Sequence, residues 1–409
     1  MSGERLALFE GIGIELEYMI VDTETLSVRP IADLLLESAA GAPEAEVDMG
    51  PLAWSNELAR HVVELKTNGP AASLAGLDAV FQEHVREVNR RLAAHGARLL
   101  PSAMHPWMDP RTEFELWPHE YNQVYQTFDR IFGCSGHGWA NLQSCHINLP
   151  FANDDEFARL HSAIRVVLPI IPALAASSPI VDAQLTTTMD ARMAMYRANA
   201  RRVPSVTGWV VPEPVFSQAE YEREILQPIY RDLEPLDPDG VLRHEWVNAR
   251  GAITRFDRGA IEIRVIDVQE YPGADLAIAL AITSVVRAFT ESPRTHHRDV
   301  RTTALADILD CVMHEADRAV IGDSDYLALF GVQGQRTAAE LWHSLLEQHL
   351  PPDTPSATRD LLAYVMERGC LARRIVAAAG RSPDRTRLRA VYARLADCLE
   401  EGRLFTPDV

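Results

Sequence analysis

The order of patterns along the chain predicts an α+β fold, with a mainly antiparallel sheet and helices segregated to one side of it. Two observations lead there. Segments with strand periodicity occur only before residue 270, with helical segments between them, whereas everything from Gly273 onward repeats with the helical period. No tandem repeat or low-complexity segment suggests a repetitive architecture instead.

The first element is a strand over 11–22, whose β-branched and aromatic residues lie between a glycine-rich start and an Asp-Thr-Glu turn. Residues two apart on a strand share a face, so Glu15 and Glu17 point the same way, ~7 Å apart, with Ile14, Leu16, Tyr18 and Ile20 opposite. After the turn, 26–30 reads as a returning partner strand and 39–50 as a polar loop. Residues 62–67 form the next strand, with Val62, Glu64 and Lys66 on one face. A long amphipathic helix follows over 73–95, and Gly96 ends it. Residues 97–104 read as a strand and 114–138 as helix and loop. The strand over 141–149 alternates, with Gln143, Cys145 and Ile147 on one face and Ser144, His146 and Asn148 on the other. Helices are expected over 154–176, capped by the acids at its start, 188–201 and 218–230. Residues 245–268 read as two strands joined by a turn at Asp257-Arg258-Gly259, the second placing Glu262 and Arg264 on its polar face. The remaining helices are 274–291, 303–320, 338–349, 357–379 and 384–400.

Composition narrows the class. The chain has 409 residues, 47% of them hydrophobic and 24% charged, which is enough for a sizeable core. Its net charge of -19 argues against sequence-independent nucleic-acid binding and against anionic membranes, both of which need a basic face. Five cysteines without C-x-x-C spacing give no disulfide framework or zinc cluster and suit a reduced cytosol. The N-terminus shows no basic segment followed by an apolar run. The most apolar window, 163–181, contains Arg165, Pro169, Pro172 and Pro179, so it reads as a buried, broken helix rather than a membrane span. A soluble, cytoplasmic protein is expected.

The polar strand faces carry the chemistry. Glu15 with Glu17, Glu64, His146 with Asn148, and Glu262 with Arg264 all interrupt otherwise apolar strands. Glu57 adds an acid from the bend before its strand, being an odd number of residues from Glu64. Carboxylates this close repel, and each is costly to keep ionised away from water without a cation. Four or five of them with one imidazole make a hard-cation site suited to Mg²⁺ or Mn²⁺, where zinc would favour more His or Cys. Such sites are usual where phosphoryl groups move. Arg250, Arg255, Arg258 and Arg264 lie in one short segment, and Arg192 and Arg197 on one predicted helix, supplying forks for phosphate or carboxylate. No P-loop motif is present.

The motifs and their order resemble the second type of the glutamate–cysteine ligase family, the carboxylate–amine ligases with a glutamine-synthetase-like fold. The matching pieces are Gly13-Ile14-Glu15-Leu16-Glu17-Tyr18 with Val21-Asp22, Glu64-Leu65-Lys66-Thr67 and His146-Ile147-Asn148. Further on come Ala175-Ala176-Ser177-Ser178-Pro179, Met195-Tyr196-Arg197 and Ile261-Glu262-Ile263-Arg264-Val265-Ile266-Asp267. The resemblance implies an open, curved sheet surface with helices on its outer side. It also implies one catalytic domain over 1–409, sheet-bearing to 290 and helical from 291. In that likeness Glu15, Glu57 and Glu262 hold one Mg²⁺, while Glu17 and His146 hold a second. Glu64 lies by the donor carboxylate or the metals, and Arg264 acts in catalysis on the ATP phosphates with Arg258 and Arg255 alongside. Arg192, Arg197 and Asn148 serve the substrates, with Arg192 or Arg197 near the transferred phosphate. Two places depart from the family pattern: Tyr18 stands where many relatives carry a third acid, and Asn148 where they carry a second histidine. The expected reaction is ATP-dependent amide formation from L-glutamate and L-cysteine. A different acid or amine, a guanidino or amine phosphotransferase, and a non-catalytic nucleotide-binding regulator stay open, as does a homo-oligomer.

Overall fold

The computed structural model describes residues 5–292 and 300–407. Ten strands matter for the site: β1 (Gly13–Asp22), β2 (Glu46–Asp48), β3 (Leu52–Asn56), β4 (Val62–Thr67), β5 (Ala97–Leu100), β6 (Ser144–Pro150), β7 (Ile180–Val181), β8 (Gln184–Leu185), β9 (Ala252–Arg255) and β10 (Ala260–Asp267). Seven run in the order β2-β3-β4-β1-β6-β10-β9, and β5 pairs with the far half of β1 to make an open sheet of eight. Every pairing in it is antiparallel. β7 and β8 form a separate small hairpin.

Alternation along β1 decides which way the sheet faces. Ile14, Leu16, Tyr18 and Ile20 are fully buried on one side, joined by Val63, Leu65, Ile147, Ile261 and Ile263. The helices Leu77–Leu92, Asp154–Val167 and Pro272–Glu291 cover that side and build the main core. The last of these is long and apolar enough to cross a bilayer, yet 72% of its apolar window is buried inside the protein. Helices make up most of the C-terminal third, as the periodicity predicts, although Val320–Ile321 and Arg336–Thr337 pair there as a short antiparallel hairpin.

Several local expectations are corrected. Residues 26–30 make only one bridge, Val28 to Val21, because Leu26 turns through φ 56° and Pro30 has no N–H to donate. The stretch 39–50 holds the end of a helix, Ala32–Ala40, and β2. β3 escaped notice because all five of its residues are buried, leaving no alternation to read. Strand β5 stops at Leu100, before Pro101. The helix after β6 is capped by Asn153, whose side chain accepts from the N–H of Glu156, rather than by the acids that follow. That stretch does break, as its prolines require, with a 3₁₀ turn at Leu168–Ile170. Two helices, Ser356–Arg368 and Leu371–Ala379, replace the single one expected over 357–379. Gly369 between them has φ 83° and ψ 173°, a conformation open essentially to glycine alone.

Three histidines sit in the core as neutral rings. Nε2 of His61 donates to Ala140 O at 2.8 Å, and Nε2 of His105 donates to Leu26 O at 2.7 Å. Burial pushes both down to about 4, and His161 to about 3, from the ordinary 6.5. The unfolded chain therefore takes up protons that the folded one refuses, so this contribution is complete above pH 6.5 and is lost as pH falls toward 4. The melting temperature of wild type should drop over that window, and His105→Gln should drop less. Parallel melting curves for the two proteins would refute this.

Candidate active site

The antiparallel register assembles the polar face of the sheet. Glu15 stands opposite Lys66 on β4 and His146 on β6, Glu17 opposite Glu64, and Glu262 on β10 opposite Asn148. Glu57 enters from the turn that follows β3, as its odd spacing from Glu64 requires. All of these side chains except Asn148 line a cavity of about 310 Å³, together with Arg192 and Tyr196 from the helix Ala191–Asn199 and Arg255, Arg258 and Arg264 from the β9–β10 hairpin.

His146 is the hub. Its Nδ1 lies 2.9 Å from Glu15 Oε2 and 3.7 Å from Glu262 Oε1, and its Nε2 lies 3.8 Å from Glu17 Oε1. Ser144, two residues earlier on the same face, steadies this arrangement. Its N–H and hydroxyl donate to Glu17 Oε2 at 2.7 and 2.9 Å, and its oxygen is 2.9 Å from His146 Nε2. Asn148 Nδ2 donates to Glu15 Oε1 at 2.9 Å. Glu64 accepts from Ser55 Oγ at 2.7 Å and pairs with Lys66 Nζ at 3.0 Å, while Lys66 also reaches Glu46 at 2.8 Å. The Arg264 guanidinium is paired with Glu262.

Charge crowding shows in the protonation states. Burial disfavours the Glu15 carboxylate, yet the His146 hydrogen bond and charge outweigh it and hold it at about 2. Burial also disfavours the His146 cation, but Glu15, Glu17 and Glu262 raise it to about 9. Glu64 is pushed up to about 7 by burial and by the Glu15 charge. Glu57 rises well above the usual range through burial and the charges of Glu17 and Glu64. Five carboxylates thus share the cavity with Lys66, His146 and the arginines, and His146, Lys66 and Arg264 pair directly with them. Two trios, Glu15–His146–Glu262 and Glu17–Glu64–His146, each bring ligand atoms within 4.8 Å of one another. Oxygen-rich trios with surplus negative charge fit hard divalent cations. Glu57 lies outside both trios and faces the same cavity.

Two arginines stand differently from expectation. Arg197 does not line the cavity; it pairs with Asp310 at 2.7 Å on the outside. Arg192 and Tyr196, four apart, share the inward face of their helix, and Arg197, five from Arg192, is rotated about 140° away. Arg192 does line the cavity but is 2% exposed, with Nε on Asp267 and one Nη on the Arg264 carbonyl. Arg250 is also structural, gripping Glu213 with two bonds of 2.6 and 2.7 Å. Asn148 acts on Glu15 rather than lining the cavity. Ser55, Leu142, Ser144 and Tyr196 were missed as site residues. Ser144 carried a signal in its place two residues from His146 on the polar face, and Tyr196 in the Met195-Tyr196-Arg197 motif.

The relatives of this fold and sequence place the protein in the class of ATP-dependent ligases. The chain itself is a member of glutamate–cysteine ligase family 2, whose sequence profile matches residues 11–393. An uncharacterized protein of Archaeoglobus fulgidus is 38% identical over 280 residues, 68% of this chain and 75% of that one. A Nocardioides protein named "Putative glutamate–cysteine ligase 2-1" is 27% identical over 370 residues, 87% of either chain. Among solved structures, the glutamate–cysteine ligase of Francisella tularensis in complex with AMP superposes with a TM-score of 0.66 at 11% identity, over 99% of this chain and 91% of that one. A bifunctional glutathione synthetase from Pasteurella multocida gives 0.62 at 13% identity over 96% of this chain, which spans about half (53%) of that protein. These likenesses show the fold.

The carboxylate trios generate one prediction that does not depend on substrates. Glu262→Gln should weaken Mn²⁺ binding ~10-fold or more while the metal-free protein still melts cooperatively. Calorimetric titration decides it, and an unchanged affinity would return Glu262 to a simple partner of Arg264.

Proposed function

We propose that this ligase joins the γ-carboxylate of L-glutamate to the amine of L-cysteine, using ATP and releasing ADP and phosphate. The observation that carries the reading is the convergence of Glu15, Glu17, Glu57, Glu64, Glu262 and His146 with Arg255, Arg258 and Arg264 on one polar sheet face. In this reading the carboxylates and His146 hold two Mg²⁺ or Mn²⁺ ions, which supply neutralisation of charge on the phosphate oxygens. Arg264 grips the transferred phosphoryl group, with Arg258 and Arg255 along the nucleotide. Glu64 sits by the donor carboxylate, and Asn148 orients Glu15. Arg197 has no role here, since it points away from the cavity. The donor γ-carboxylate takes the phosphoryl group, and the amine then attacks the acyl phosphate and expels phosphate. ATP as co-substrate and five free thiols, four of them buried, suit a cytoplasmic enzyme.

A ligase with another amine is favoured by one observation: Leu142 is the one aliphatic residue among those lining the cavity, which leaves little apolar wall to select a cysteine thiol over another side chain.

Arg264→Lys keeps the charge and loses the two-pronged grip, so kcat/KM for ATP should fall ~10-fold or more, ~1.4 kcal/mol. An unchanged value would make Arg264 a structural partner of Glu262.

The reaction is tested by incubating the protein with Mg²⁺, ATP and glutamate, with and without cysteine, and following nucleotide and product together. Cysteine-dependent ADP with a γ-glutamyl amide is expected. ADP formed only with another amine keeps the ligase and replaces the acceptor. AMP with pyrophosphate, or a phosphorylated amine without an amide, overturns the acyl phosphate route. Nucleotide binding without any turnover across amino-acid pairs would leave a regulator.

A further inference from the structure

Arg264 occupies an irregular place in the sheet. Pairing of β10 with β6 runs from Ala260 to Ile263 and resumes at Ile266, so Arg264 and Val265 form a bulge. A bulge disrupts the ladder and turns the strand locally. Both polar groups of the Arg264 main chain are satisfied from outside the β10–β6 ladder. Its N–H donates to Gly251 O at 3.0 Å, and its C=O accepts from Arg192 Nη2 at 3.2 Å.

Each of these partners is itself locked. Arg192 Nε donates to Asp267 Oδ1 at 2.5 Å, and Asp267 Oδ2 accepts from Ser177 N–H and Ser178 Oγ, both at 2.8 Å. Ser178 Oγ accepts in turn from Arg192 N–H at 3.0 Å. The ring is closed, and all four residues are buried. On the other side, Gly251 leaves room for the bulge: a Cβ there would lie 2.4 Å from Val265 Cγ1 and 3.0 Å from Val210 Cγ1. Val210 holds φ 69°, a left-handed backbone that a β-branched residue adopts only when its surroundings force it. Its C=O accepts from Gly251 N–H at 2.7 Å.

We infer that Arg192 is a positioning residue rather than a substrate ligand: with Asp267 and Gly251 it clamps the β10 bulge so that Arg264 is aimed into the cavity. A buried ion pair is weak support for stability, and a strained valine works against it. What the two produce together is a fixed direction for one guanidinium. The inference rests on the proposed role of Arg264 at the phosphate.

A double-mutant cycle tests it, with Mg²⁺-ATP affinity and steady-state kinetics measured for Arg192→Lys, Arg264→Ala and the pair. A lysine at 192 reaches Asp267 or the Arg264 carbonyl, not both. Arg192→Lys should lower ATP affinity and kcat ~10-fold or more, as outer partners of a site do. It should leave KM for the donor acid within about twofold and add nothing in the Arg264→Ala background. Gly251→Ala presses on the bulge from the opposite side and should give the same signature; it carries the cycle if Arg192→Lys does not fold. Additive losses, or a raised donor KM confined to Arg192→Lys, would make Arg192 a direct ligand and overturn the inference. If wild type binds no ATP, the phosphate role of Arg264 is lost, and amide exchange alone decides the clamp. The Arg264 N–H should lose protection in Arg192→Lys while β6 keeps its own; unchanged protection overturns it.

Discussion

Crowding of like charge on the polar face of one sheet is the constraint from which the rest follows. Glu15 and Glu17 lie two residues apart on β1, and the register brings Glu64 and Glu262 in from β4 and β10. Such a face repels itself and gives nothing to packing, so the opposite face must hold the sheet. It does so with buried Ile14, Leu16, Tyr18, Ile147 and Ile263 under three long helices. Period two makes the two faces inseparable: a slip of one residue would drive Glu15 and Glu17 into the core and expose Leu16. The hydrophobic side therefore positions the acids more firmly than any contact among them.

Counterions on that face are shared rather than matched one to one. His146 serves three carboxylates, Lys66 serves Glu64 and Glu46, and Arg264 serves Glu262. Neutral donors fill the gaps: Ser144 on Glu17, Asn148 on Glu15, Ser55 on Glu64. Asparagine at 148 is informative in this light. A second imidazole there would compete for Glu15 as a base or a cation, whereas the amide donates one hydrogen bond and leaves the charge in place. The neutral donors thus fix the direction of Glu15, Glu17 and Glu64 without adding charge of their own, which leaves room for a cation among them.

What could be read in the sequence and what could not divides along physical lines. The polar faces of β1, β4, β6 and β10 were legible because alternation survives wherever one face is buried and the other is not. β3 was illegible because it is buried throughout, and the helix Ala32–Ala40 fell almost wholly between the expected strand over 26–30 and the expected loop over 39–50. Helical tails were legible in extent but not in their breaks, which Gly369 and the φ 45° of Ala316 impose locally. Among the arginines, sequence spacing showed abundance without direction. Arg192, Arg197 and Arg250 each found a carboxylate partner far along the chain in Asp267, Asp310 and Glu213. Long-range pairing of that kind has no local signature, so residue type alone overstates how many forks face a ligand.

The C-terminal helices bear on the site through the end of β10. Glu270, three residues beyond Asp267, is completely buried and pairs with Arg374 on the helix Leu371–Ala379. Arg374 also donates to Phe405 O at 2.9 Å, and Phe405 N–H returns to Glu270 at 3.2 Å. Nearby, Ala372 N–H donates to Ala176 O at 2.8 Å, one residue before the serines that hold Asp267. Gln269 adds a bond from its side chain to Ala175 O at 2.7 Å. A buried charge left without its partner is far more costly than the pair is beneficial, so Glu270 and Arg374 must stay together for either to be tolerated. The helices that follow Gly273 are in this way tied to the segment that follows Asp267. Residues 371–405 contribute no side chain to the cavity, yet they determine where the strand carrying Glu262 and Arg264 can end.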